Sequence, residues 1–116
     1  MLTIDESKAL LLDIIEEHAE GDEDFRVEFA RRCGENYLEL LSKMREAVSS
    51  ADLAVLREMR HKYLAINVLF KQDELNDMLE DLIAHESDFV EQTELVRQIS
   101  VYCAGLIGEF ERIATL

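Results

Sequence analysis

The side chains in this 116-residue sequence able to attack, relay a proton or hold a metal include only three histidines, His18, His61 and His85. His61 stands among cations. Residues 51–71 carry Arg57, Arg60, Lys62 and Lys71 against Asp52 and Glu58, a net +2 inside a chain of net charge −14. An imidazole in such a setting suits a phosphoryl group, whose oxygens want cationic hydrogen-bond donors. Imidazole in water is also largely neutral at cellular pH, and so nucleophilic.

The same stretch contains a second pattern. Glu58 and His61 form a Glu-x-x-His pair at the spacing that carboxylate-bridged di-metal bundles use. Such a site needs a second Glu-x-x-His, further glutamates and an inward orientation. The sequence has no second copy, so neither a metal nor another cofactor is expected. His18 and His85 each fall in the last turn of a helical segment, where a ring meets free carbonyls and the negative end of the dipole. Cys33 and Cys103 lie far apart, each among apolar neighbours, and are expected to be reduced, buried thiols of a cytosolic protein. No Ser/His/Asp spacing, phosphate-cradling glycine loop or Cys-x-x-Cys pair occurs.

The elements that must position these residues are helices. Apolar residues make up 48% of the chain and charged residues 33%, with no proline and four glycines, so long helices run with little interruption. Thr3 and Glu6 have capping-box spacing ahead of Leu10, Leu11, Ile14 and Ile15, which predicts a first helix over about 4–19. Gly21 ends it, and Asp22 or Asp24 caps a second over about 23–48, with Phe29, Cys33, Tyr37, Leu40, Leu41, Met44 and Val48 along one stripe. Ser49, Ser50 and Asp52 mark a break before a third helix over about 51–70. Gln72 and Asp73 precede a fourth, bearing Leu75, Met78, Leu79, Leu82 and Ile83. Ser87 and Asp88 cap a fifth over about 89–114, where Phe89, Val96, Cys103 and Phe110 recur every seventh residue, interleaved with Ile99, Leu106 and Ile113. Gly105 and Gly108 are expected to let a neighbouring helix come close. Short connections imply antiparallel neighbours, so the expected fold is one all-α domain over 1–116, an antiparallel four-helix bundle with an additional N-terminal helix.

On the third helix, residues advance by about 100°. With His61 at zero, Leu56, Met59, Tyr63, Ile66 and Phe70 fall within roughly 40° of the opposite side, which makes that stripe the core face and turns His61 outward. Ala54, Leu64, Ala65 and Val68 lie within roughly 60° of His61, where a solvated helix carries Glu, Lys or Gln. An exposed apolar strip around a polar centre marks a docking surface.

From His61 to Lys71 the sequence reads H-K-Y-L-A-I-N-V-L-F-K, preceded by S-S-A-D-L-A-V-L-R-E-M-R and followed by L-N-D-M-L-E-D-L from Leu75. This resembles the active helix and its surroundings in the histidine-containing phosphotransfer domains of two-component phosphorelays, over about residues 24–112. Their pattern is H-x-x-K-G, with another glycine six residues after the first. Here Leu64 stands in place of the lysine, Ala65 in place of the first glycine and Lys71 in place of the second. The resemblance implies a phosphocarrier without an independent reaction on a small molecule. His61 would accept the phosphoryl group, Arg57 and Lys62 would support it, and Ala54, Leu64, Ala65 and Val68 would dock receiver domains. It implies no cofactor of the chain's own, since Mg²⁺ would belong to the receiver. The altered motif also implies an alternative, a degenerate adaptor that binds a receiver or another helical partner without accepting phosphate.

The charge balance opposes two other partner classes. Binding nucleic acid requires clustered Lys and Arg, and an anionic membrane surface repels a chain of net charge −14. No apolar run approaches the roughly 18 residues of a membrane span, and M-L-T-I-D-E-S-K has no basic region followed by an apolar stretch, so a cytoplasmic protein is expected.

Overall fold

Three aspartates start three of the helices. The computed structural model describes residues 4–85 and 88–116, and these form five helices and no strand: α1 (Ile4–Ala19), α2 (Glu23–Ser49), α3 (Leu53–Leu69), α4 (Asp73–Ala84) and α5 (Phe89–Ala114). Asp22 caps α2 by accepting from the Phe25 amide at 3.0 Å, Asp52 caps α3 from Val55 at 3.2 Å, and Asp88 caps α5 from Glu91 at 3.1 Å. Each such cap is worth about 1 kcal/mol. Asp22, not Asp24, therefore starts α2. Because Asp52 takes the cap position, α3 begins two residues later than its apolar pattern suggests. Thr3, Ser87 and the Phe89 side chain lie outside the described residues.

The two turns flanking α3 share one geometry. After α2, the Asp52 amide donates to Ala47 O at 2.8 Å and the Ala51 amide to Val48 O; after α3, Gln72 donates to Asn67 O at 2.7 Å and Lys71 to Val68 O. Both are Schellman closures, which put one residue in the left-handed region. That residue is Ala51 (φ 54°) in the first and Lys71 (φ 56°) in the second. Neither is glycine, so the sequence carries only part of the usual stop signal.

Helix α2 packs most extensively on α5 and also meets α3; α3 meets α4, and α4 meets α5. Gly34 faces Phe110, whose Cβ would lie 3.5 Å from a Cβ added at Gly34, Tyr37 stacks on Phe110 at 5.8 Å, and Arg26 donates to Leu116 O at 2.8 Å. Rising numbers on α2 thus meet falling numbers on α5, and the two helices run in opposite directions. The seam read from α5 is buried at Ile99, Cys103, Leu106, Phe110 and Ile113 and half-buried at Val96. α1 adds Leu11, Ile14, Ile15 and Ala19 to the core by packing against α2 and α5.

The expectation for Gly105 and Gly108 is overturned. Both are exposed, and a Cβ on either would meet nothing within 4 Å. The helical glycine that faces a neighbouring helix is Gly34, where an added Cβ would still make an ordinary contact, because the rotation of α5 turns Phe110 toward α2 and Gly105 and Gly108 toward solvent.

Candidate functional site

The inward stripe of α3 anchors the helix and so aims its other face. Leu56, Met59, Tyr63 and Phe70 are buried and Ile66 is half-buried. Phe70 meets Phe110 edge-on at 5.1 Å and Phe29 at 6.1 Å. A polar member of the same stripe escaped the sequence reading. Asn67 is fully buried, its Oδ1 accepts from the Tyr37 hydroxyl at 2.6 Å, and its Nδ2 donates to Asn76 Oδ1 at 2.8 Å. Its spacing, four residues after Tyr63 and three before Phe70, places it on the core face and is a signal that sequence reading could have used. Gln72 is buried too: its Nε2 donates to Phe70 O at 2.8 Å, and its Oε1 accepts from the Tyr102 hydroxyl. One polar network therefore ties α2 to both ends of the α3–α4 connection, and a second ties that connection to α5.

With α3 fixed this way, His61 is exposed near the middle of the helix, and its ring makes no hydrogen bond or ion pair with any described residue. Ala54, Ala65 and Val68 are exposed around it, Val68 at 57%. Leu64 differs from its companions in being half-buried. It lies on the flank from which Arg60 and Asn67 reach α4, so part of its side chain is covered. Leu69, exposed at 39%, extends the apolar surface on the opposite flank.

The cations around His61 separate into bound and free. Arg60 pairs with Glu80 of α4. Lys62 turns toward α2, where its Nζ lies 2.8 Å from Glu39 Oε1 and 5.5 Å from the Tyr63 ring centroid. Lys43 reaches the same Glu39 oxygen at 2.8 Å. Lys43 first and Lys62 second hold the Glu39 carboxyl down at about 2. Arg57 is exposed and makes no ion pair among the described residues; with Arg60, Glu80, Ile83 and Ala84 it lines a shallow groove between α3 and α4. Of the two supports expected from sequence, Arg57 is free and Lys62 is occupied.

The remaining candidates are structural. His18 Nδ1 is 2.9 Å from Ile14 O and its ring stacks on Phe29 at 5.9 Å, while His85 Nδ1 is 2.8 Å from Asp81 O. Each ring meets the carbonyl four residues earlier; for His85 that carbonyl is in the last turn of α4, while for His18 it lies one turn before the end of α1. Cys33 and Cys103 are free and buried, and burial pushes each thiol up to about 12. Glu58 and His61 are both exposed, and the described residues contain no group of three or more His, Cys, Asp or Glu able to hold a metal. No helix among the described residues is long and apolar enough to cross a membrane.

No family model, no curated protein and no solved structure matches the chain.

Proposed function

We propose that this chain is a cytoplasmic histidine phosphotransfer domain in which His61 carries a phosphoryl group between receiver domains. In this reading α2–α5 form an antiparallel four-helix bundle and α1 is an N-terminal addition. One observation carries it: an exposed imidazole, unpaired among the described residues, at the middle of an outward helix face with Ala54, Ala65 and Val68 exposed around it. A nucleophile that must meet a second protein needs water access and a surface that can be covered. Small side chains beside it let the partner's phosphoaspartate come close.

The chemistry is a reversible transfer. The unprotonated ring nitrogen of His61 attacks phosphorus, a P–N bond forms, and the P–O bond to the receiver's aspartate breaks. The carboxylate leaves with the electron pair, and the second ring nitrogen keeps its proton. Attack by another receiver's aspartate reverses each change. The receiver supplies Mg²⁺ from its own acidic pocket. Arg57 provides the unpaired guanidinium nearest in sequence to His61, one turn earlier and about 40° round the helix.

The test mixes purified protein with a receiver phosphorylated on its aspartate and locates the phosphoryl group by mass spectrometry. His61 should gain it, and His61→Gln should fold normally by circular dichroism and gain none. Absence of phosphate on His61 across a panel of receivers would sink the reading. A second reading, a receiver-binding adaptor that takes no phosphate, draws on two features: Leu64 replaces the lysine of the resembling motif, and Lys62 is held by Glu39. In that case receiver binding persists unchanged in His61→Gln.

A further inference from the structure

We infer that Glu39 holds Lys62 in reserve beside His61, and that Lys62 leaves Glu39 for the phosphoryl group once His61 carries it. The inference rests on His61 being the phosphoryl acceptor and adds a positioning residue that the motif itself does not contain.

One carboxylate oxygen serves two cations. Lys43 and Lys62 both approach Glu39 Oε1 at 2.8 Å, one from a turn further along α2 and the other across the α2–α3 interface. When Lys62 departs, Lys43 still compensates the carboxylate, so Glu39 is not stranded. The pair is also exposed, with Lys62 at 55% and Glu39 at 38%. Exposed pairs are worth about 0–1 kcal/mol, so the hold is weak enough to break.

A phosphoryl group on His61 is the stronger competitor for Lys62. Glu39 offers one negative charge already divided between two ammoniums. A phosphoryl group carries close to two negative charges and three acceptor oxygens. Lys62 follows His61 directly in the chain, and its flexible four-carbon stem can swing the ammonium through the roughly 100° that separates them on the helix. Glu46, Asp52 and Glu58 line a groove between α2 and α3 together with Lys43 and Lys62, but it is Glu39 that Lys62 touches.

The other positions around His61 leave one flank to Lys62. Leu64 removes the cation three residues after His61, and Arg60 is engaged with Glu80 on the α4 flank. Arg57 approaches from that flank. Lys62 is the cation available from the other, so a phosphoryl group on His61 would be met from both sides only if Glu39 lets Lys62 go.

The experiment compares full-length protein with Glu39→Gln, Lys62→Gln and the double variant, all checked for native circular dichroism. Each is phosphorylated by the same phosphorylated receiver; the transfer rate and the lifetime of the phosphohistidine are measured. Glu39→Gln should raise both by up to about 5-fold, the range that one exposed ion pair allows. Lys62→Gln should lower them by a similar factor, and the double variant should match Lys62→Gln, because Glu39 acts only through Lys62. A purely structural role for Glu39 would give an effect that persists without Lys62, and that result overturns the inference. So does a Lys62→Gln protein indistinguishable from the parent while His61 is phosphorylated. If the parent takes no phosphate at all, the proposed function fails, and the reserve role falls with it.

Discussion

The two faces of α3 differ in what the fold uses them for: one packs, and the other is left exposed. The inner face carries Leu56, Met59, Tyr63, Asn67 and Phe70, all buried and engaged with α2, α4 or α5 through packing or hydrogen bonds. The outer face carries Ala54, His61, Ala65 and Val68, all exposed. Residues only two positions apart, such as Met59, His61 and Tyr63, thus differ completely in what they contribute. The inner side chains hold the helix still. The outer ones are left available to a partner because nothing in the fold uses them, which is the arrangement a presented nucleophile requires.

Substitutions on the two faces should therefore separate cleanly. Phe70→Ala removes a ring in contact with Phe29 and Phe110 and should cost about 3–5 kcal/mol in urea unfolding. A loss below about 1 kcal/mol would mean that the inner face is not the anchor. Asn67→Ala comes next. It leaves the Tyr37 hydroxyl buried without its acceptor, and the expected loss is about 1–3 kcal/mol by the same measurement. Val68→Ser, on the outer face, should shift stability by no more than about 0.5 kcal/mol while weakening receiver binding in a titration. A large stability loss there would erase the contrast between the faces.

Much of this arrangement was readable in the sequence because it is local. The capping aspartates Asp22, Asp52 and Asp88 lie within three residues of the amides they satisfy, so local spacing gave the starts of α2 and α5, and that of α3 to within two residues. The outward direction of His61 followed from helical periodicity, since a core stripe on one side fixes what points the other way. Asn67 has the spacing of that stripe too, but it is polar and the sequence reading leaves it out. Its burial depends on Tyr37, thirty residues away, so no local signal could show that a polar side chain there would be satisfied.

Helical periodicity by itself determined the all-helical character of the chain and the face on which His61 stands, because both depend on interactions within a few residues. Tertiary structure alone decided that Lys62 is held by Glu39 while Arg57 remains free, that Leu64 is partly covered, and that Gly34 rather than Gly105 or Gly108 faces a neighbouring helix. Those outcomes depend on the rotation and register of one helix against another. They are set by the summed packing of the whole core, to which no single segment has access.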